Sequence, residues 1–110
     1  MEELGDGEAK GWVEVLEDED GAIVELGGEI DVSNVDLAQK AIADLLESRP
    51  KRLIFDLSGI TFMDSSGLGL LLLAQRETES VEIREASAIA ERVIEATGLA
   101  EYLRLDRRDG

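Results

Sequence analysis

This 110-residue chain has no cysteine, no histidine and one proline, and its aromatics are one Trp, one Tyr and two Phe. Without cysteine there is no disulfide and no thiol nucleophile. Without histidine as well, the usual zinc ligand sets and every Ser-His or Cys-His catalytic pair are excluded. The lack of cysteine fits a cytoplasmic protein. Basic residues are also scarce, 11 against 26 acidic ones, for a formal charge of −15. Nucleic acid and anionic membranes would repel such a chain. The longest apolar run, around residues 68–74, is far too short to cross a bilayer, so no direct membrane insertion is expected. The first ten residues are acidic and polar where a signal peptide would be basic and then apolar. So few aromatics leave Leu, Ile, Val and Ala to build the core, and Trp12, Phe55, Phe62 and Tyr102 are expected to be packing residues.

What is present suits one domain with one core. The charge is uneven: residues 1–20 carry −8, residues 21–74 carry −4 and residues 75–110 carry −3. Residues 1–10 are therefore expected to be a flexible acidic leader, residues 11–105 the folded domain and residues 106–110 a polar tail. Residues 12–16 and 22–26 alternate as strands around the acidic turn at 17–21, and Gly27-Gly28 breaks or bulges the second strand. Ser33 and Asp36 form a capping-box pattern before Val35, Ala38, Ala41, Ile42, Leu45 and Leu46, which recur on one helical face. Residues 52–57 look like a central strand covered on both faces. A helix over residues 64–75, a strand over 81–85, a helix marked by Ile89, Ala90, Val93 and Ile94, and a last short strand or turn within 99–105 complete the pattern. Strands alternating with helices predict an α/β fold in the order β-β-α-β-α-β-α(-β), with a mixed sheet of four to five strands.

The residues that carry chemistry gather at Asp64-Ser65-Ser66-Gly67-Leu68-Gly69, the polar head of an apolar helix. Asp and Ser there are natural N-caps, and capping alone stabilises by about 1 kcal/mol. Capping does not explain Gly67 and Gly69, since each glycine inside a helix costs about 1 kcal/mol against Ala. Bare backbone at the head of a helix suits a close approach by a strand, a partner protein or a phosphate. Asp31, between a strand and a helix, either caps with Ser33 or belongs to a functional loop. Asp56 ends a strand as a phosphorylated receiver aspartate does, but the acidic pair and the lysine such a site needs are absent. No acid, base and nucleophile converge, so no catalytic residue and no metal site are assigned.

Residues 57–69, Leu-Ser-Gly-Ile-Thr-Phe-Met-Asp-Ser-Ser-Gly-Leu-Gly, closely resemble the signature of the STAS domain family, in particular its anti-sigma factor antagonists. Gly28-Glu29-Ile30-Asp31 and the segment from Ile94 to Leu99 resemble two further family elements in the same order. The resemblance implies a STAS-type mixed sheet with helices packed on one face. It also implies partner switching: the unphosphorylated antagonist binds an anti-sigma factor that is itself a serine kinase, and so frees the sigma factor for transcription. The kinase phosphorylates the first serine of the motif, here Ser65, using its own ATP and Mg²⁺, and a serine phosphatase reverses the step. Asp31, Asp64, Ser66, Gly67 and Gly69 would then contribute to partner binding. The chain itself would need no cofactor, be no enzyme, reside in the cytoplasm and be monomeric when unbound. The alternative is a cytoplasmic STAS subunit that regulates a membrane transporter ATPase without serine phosphorylation.

Overall fold

Period-two alternation builds a sheet here, and apolar faces at helical spacing cover one side of it. A computed structural model describes residues 2–4, 10–78, 80–98 and 104–105. The elements are β1 (Glu2–Leu4), β2 (Gly11–Glu17), β3 (Ala22–Ile30), α1 (Val35–Leu46), β4 (Leu53–Met63), α2 (Ser65–Glu77), β5 (Val81–Ala86), α3 (Ala88–Ala96) and β6 (Arg104–Leu105). They form one six-stranded sheet in the order β1-β2-β3-β4-β5-β6. The first three strands pair antiparallel, and β3 to β6 pair parallel. Each parallel step is bridged by a helix, as parallel neighbours require.

Inward residues of the sheet (Val24, Phe55, Ile83) and of the helices (Ile42, Leu71, Ile94) belong to one buried cluster, so all three helices pack on the same face. The opposite face mixes acidic and apolar side chains, with Leu16, Ile23 and Ile54 in register across β2, β3 and β4. Glu14 lies opposite Glu25, and Glu25 opposite Asp56, across three adjacent strands. Trp12 also lies on this face, over two glycines. A Cβ at Gly27 would come within 2.2 Å of the indole, and one at Gly59 within 3.2 Å. Trp12 and Phe55 are thus packing residues as expected, whereas Phe62 is exposed and Tyr102 lies outside the described residues.

Four further expectations are corrected. Glu2–Leu4, assigned to a flexible leader, form β1, because Leu4 fills the edge of the core while its strand pairs with β2. β4 does not stop at Leu57. It runs on to Met63, because its pairing with β3 resumes at Gly27↔Gly59 and Gly28↔Ile60 and reaches Ile30↔Met63. Register shifts flank Gly27-Gly28, and Gly28 sits at φ +71°, where a side chain would be strained and would meet the Lys10 carbonyl. β4 is covered by helices on one face only, with Asp56 and Ser58 turned to the other. Finally, the Ser33–Asp36 capping box does not form: α1 has Asn34 at its N-cap position, and Ser33 bonds back to Asp31. The third helix has its own cap in Ser87, whose hydroxyl accepts from the Ala90 N–H, but Ile89 on that helix faces outward.

Candidate functional site

Two adjacent parallel strands end level with each other, and each delivers an aspartate to the same edge of the sheet. Ile30 of β3 is paired with Met63 of β4, and the Asp64 N–H donates to the Ile30 carbonyl at 3.3 Å. After each strand comes the same tripeptide pattern, Asp-x-Ser: Asp31-Val32-Ser33 leads into α1, and Asp64-Ser65-Ser66 leads into α2.

The two turns close alike. Asp64 is the N-cap of α2, its Oδ1 accepting from the Ser66 N–H at 2.9 Å and from the Ser66 hydroxyl. Asp31 Oδ1 accepts from the Ser33 N–H at 2.9 Å and from the Ser33 hydroxyl. These bonds from the Ser33 hydroxyl and N–H, with Lys10 contributing charge, hold the Asp31 carboxyl below its ordinary value of 3.8 against an opposing effect of burial. Asn34 ties the first turn down from beneath. It is 3% exposed, accepts from the Asp31 N–H at 3.0 Å and donates to the Glu29 carbonyl at 2.8 Å.

At the middle of each turn one residue is left outward. Val32 is 76% exposed. Ser65, the first residue of α2, is exposed, and among the described residues its hydroxyl has no hydrogen-bond partner. The neighbouring Ser66 hydroxyl is occupied by Asp64, so of the two serines Ser65 offers the free oxygen.

The two glycines of the motif differ. Gly67 is buried, and a Cβ there would come 2.7 Å from Met63 Cγ and 3.5 Å from Ile30 Cγ2. Its bare backbone lets α2 sit against the strand ends, so it packs inside the chain. Gly69 is exposed, and a Cβ added there would meet nothing within 4 Å. Along α2, Ser65, Gly69, Leu72 and Arg76 are all exposed and follow one another at spacings of four, three and four residues, which places them on one stripe of the helix. Leu68, Leu71 and Ala74 face inward.

The structure therefore brings Asp31, Asp64, Ser65 and Ser66 to one edge, extends that edge along α2 to Gly69, and turns Gly67 away from it. Three exposed apolar residues of these segments are not anticipated by the sequence: Val32, Leu72 at 40% exposure, and Phe62, expected to pack but 45% exposed. Val32 precedes the apolar face of α1, and Leu72 is out of phase with Leu68 and Leu71, so both carry a signal. Phe62 carries none, because the irregular register of β4 sets its direction. Among the described residues no group of three or more acidic side chains gathers to hold a metal ion, and no helix is long and apolar enough to cross a membrane.

The model of the STAS domain family matches residues 13–108. An anti-sigma F factor antagonist of Lysinibacillus sphaericus is 33% identical over 86 residues, covering 74% of each chain. The crystal structure of an anti-sigma factor antagonist from Mycobacterium paratuberculosis superposes with a TM-score of 0.80 at 24% identity, over 86% of this chain and 84% of that one. The Bacillus cell fate determinant SpoIIAA in its phosphorylated form superposes with a TM-score of 0.67 at 22% identity, over 88% of this chain and 93% of that one.

Proposed function

We propose that this chain, which belongs to the STAS domain family, is an anti-sigma factor antagonist that binds its anti-sigma factor while Ser65 is unmodified and lets go once Ser65 is phosphorylated. The observation that carries the proposal is the exposed Ser65 hydroxyl, without a hydrogen-bond partner among the described residues, in the second of two adjacent anchored aspartate turns, with exposed Val32 at the matching position of the first. The similarity to an anti-sigma F factor antagonist supports the partner class, and a SpoIIAA with this fold exists in phosphorylated form.

The electrostatics favour a direct block. A phosphate brings about −1.5 to −2 charge at pH 7. The N-terminus of α2 offsets only about 0.3–1 kcal/mol of that charge, and Asp64 already takes the Ser66 N–H. Covering the phosphate with a partner would strand it beside two carboxylates, at a cost of several kcal/mol. No rearrangement of the fold is needed for release.

In this reading the chain is a binding module and a kinase substrate. The anti-sigma factor, a serine kinase, supplies ATP and Mg²⁺; a serine phosphatase restores the hydroxyl; and the cycle runs in the cytoplasm. The test is a pull-down from the native host with wild type, Ser65→Ala and Ser65→Asp as baits. An anti-sigma kinase retained by the first two and lost with Ser65→Asp is the expected result. Equal retention of one transporter component by all three would refute the switch.

A further inference from the structure

We propose that Ser33 is a positioning residue of the partner site, fixing the Asp31 carboxylate in the orientation that the anti-sigma factor reads. This rests on the function proposed above and adds a determinant to it. An aspartate side chain on a surface turn normally samples several rotamers, and freezing it at an interface costs affinity. Here both Ser33 donors, the N–H at 2.9 Å and the hydroxyl, fall on the same oxygen, Oδ1. Among the described residues no donor meets Oδ2, which leaves it for one from outside: an arginine, a lysine or a backbone amide of the partner. The turn itself is held by Asn34 through the Asp31 N–H and the Glu29 carbonyl, so the scaffold persists without the Ser33 hydroxyl. What that hydroxyl adds is the direction of the carboxylate.

The molecule repeats the device at the place where it matters equally and once where it does not. Ser66 closes on Asp64 in the same way beside the modified serine. Ser58 closes on Asp56 through its N–H at 3.0 Å and its hydroxyl at 2.7 Å, but that pair lies partway along β4, well before the strand end at Met63. Ser58→Ala therefore removes the same bond away from the site and serves as the control.

The experiment uses the full chain and, as probe, the anti-sigma factor recovered with the wild-type bait. Ser33→Ala is expected to weaken its binding about fivefold to tenfold, whereas Ser33→Thr stays within about twofold of wild type. Ser58→Ala leaves it unchanged. In the free protein, ¹³C titration of the Asp31 carboxyl should move up toward 3.8 in Ser33→Ala and return in Ser33→Thr. At neutral pH Asp31 is ionised in every variant, with Lys10 the charged group acting on it, so a loss of affinity reads orientation and not charge. Undiminished binding by Ser33→Ala, an unmoved Asp31 titration, or a failure of threonine to restore either one overturns the proposal. If the wild-type bait itself retains no anti-sigma factor, the antagonist reading fails and the role of Ser33 falls with it.

Discussion

Gly69→Ala should make the protein more stable and a worse binder, and the two effects have separate origins. Gly69 is the fifth residue of α2, with nothing within 4 Å of an added methyl. In the free protein the substitution meets no obstacle, and the helix gains about 0.8–1 kcal/mol from replacing glycine by alanine. For a domain of this size that is a rise in Tm of about 4 °C, measurable by thermal denaturation followed by circular dichroism. In the complex, Gly69 lies on the stripe with Ser65 and Leu72, where the partner is proposed to approach the bare helix backbone. A methyl in a packed contact costs about 1–3 kcal/mol, so affinity for the anti-sigma factor should fall about tenfold or more. Gly67→Ala should show the opposite signature. Its methyl would come 2.7 Å from Met63 Cγ and 3.0 Å from Met63 Sδ inside the core, which outweighs the smaller helix gain in the first turn. Stability drops while the folded fraction binds as before. A Gly69→Ala protein that is stabilised but binds with undiminished affinity refutes the close approach to α2. One that is destabilised refutes the open geometry of that position.

Two further outcomes follow from the open face of the sheet. Glu25 is pushed above its ordinary 4.5 by burial first, then by Glu14 and Asp56 and by its hydrogen bond with Glu14. A carboxyl with a raised folded-state pKa stabilises the fold below its unfolded value, and that contribution is lost as pH climbs through the folded value. Glu25→Gln should therefore raise stability at pH 7 by about 0.5 kcal/mol and flatten the loss of stability as pH increases from 4.5; urea titrations across that range check it, and an unchanged slope would refute it. Gly27→Ala places a methyl 2.2 Å from the indole of Trp12, the sole tryptophan. The ring must leave its seat, destabilising the fold by about 2 kcal/mol and shifting Trp emission to the red; unaltered emission would show that the ring is not seated there.

The parts of the fold visible in the sequence are those set by local periodicity. Val35, Ala38, Ala41, Ile42, Leu45 and Leu46 mark one face of α1 because a single stripe at helical spacing suffices to define it, and all six are buried or packed against the core. The head of α2 is visible because Asp64 before an apolar helix is a capping pattern in its own right. What escapes depends on contacts between distant segments. Leu4 is one apolar residue among acids, and only its register opposite Gly11 makes it core. Ser58-Gly59 have the composition of a strand end, yet β3 holds them in the ladder. At the site, Ser33 and Asn34 both suit an N-cap. Which one takes the position is settled by the Glu29 carbonyl, which captures the Asn34 amide.

The two sides of α2 answer to different requirements. Leu68, Leu71 and Ala74 must satisfy the interior of this chain, whereas Ser65, Gly69 and Leu72 point away from it. Changes on the outer side therefore leave the packed interior intact and alter stability only through helix propensity, as at Gly69, whereas changes on the inner side act on the packing itself. A duplicated copy of such a domain can keep its whole interior and acquire a new allegiance by altering two or three outward residues.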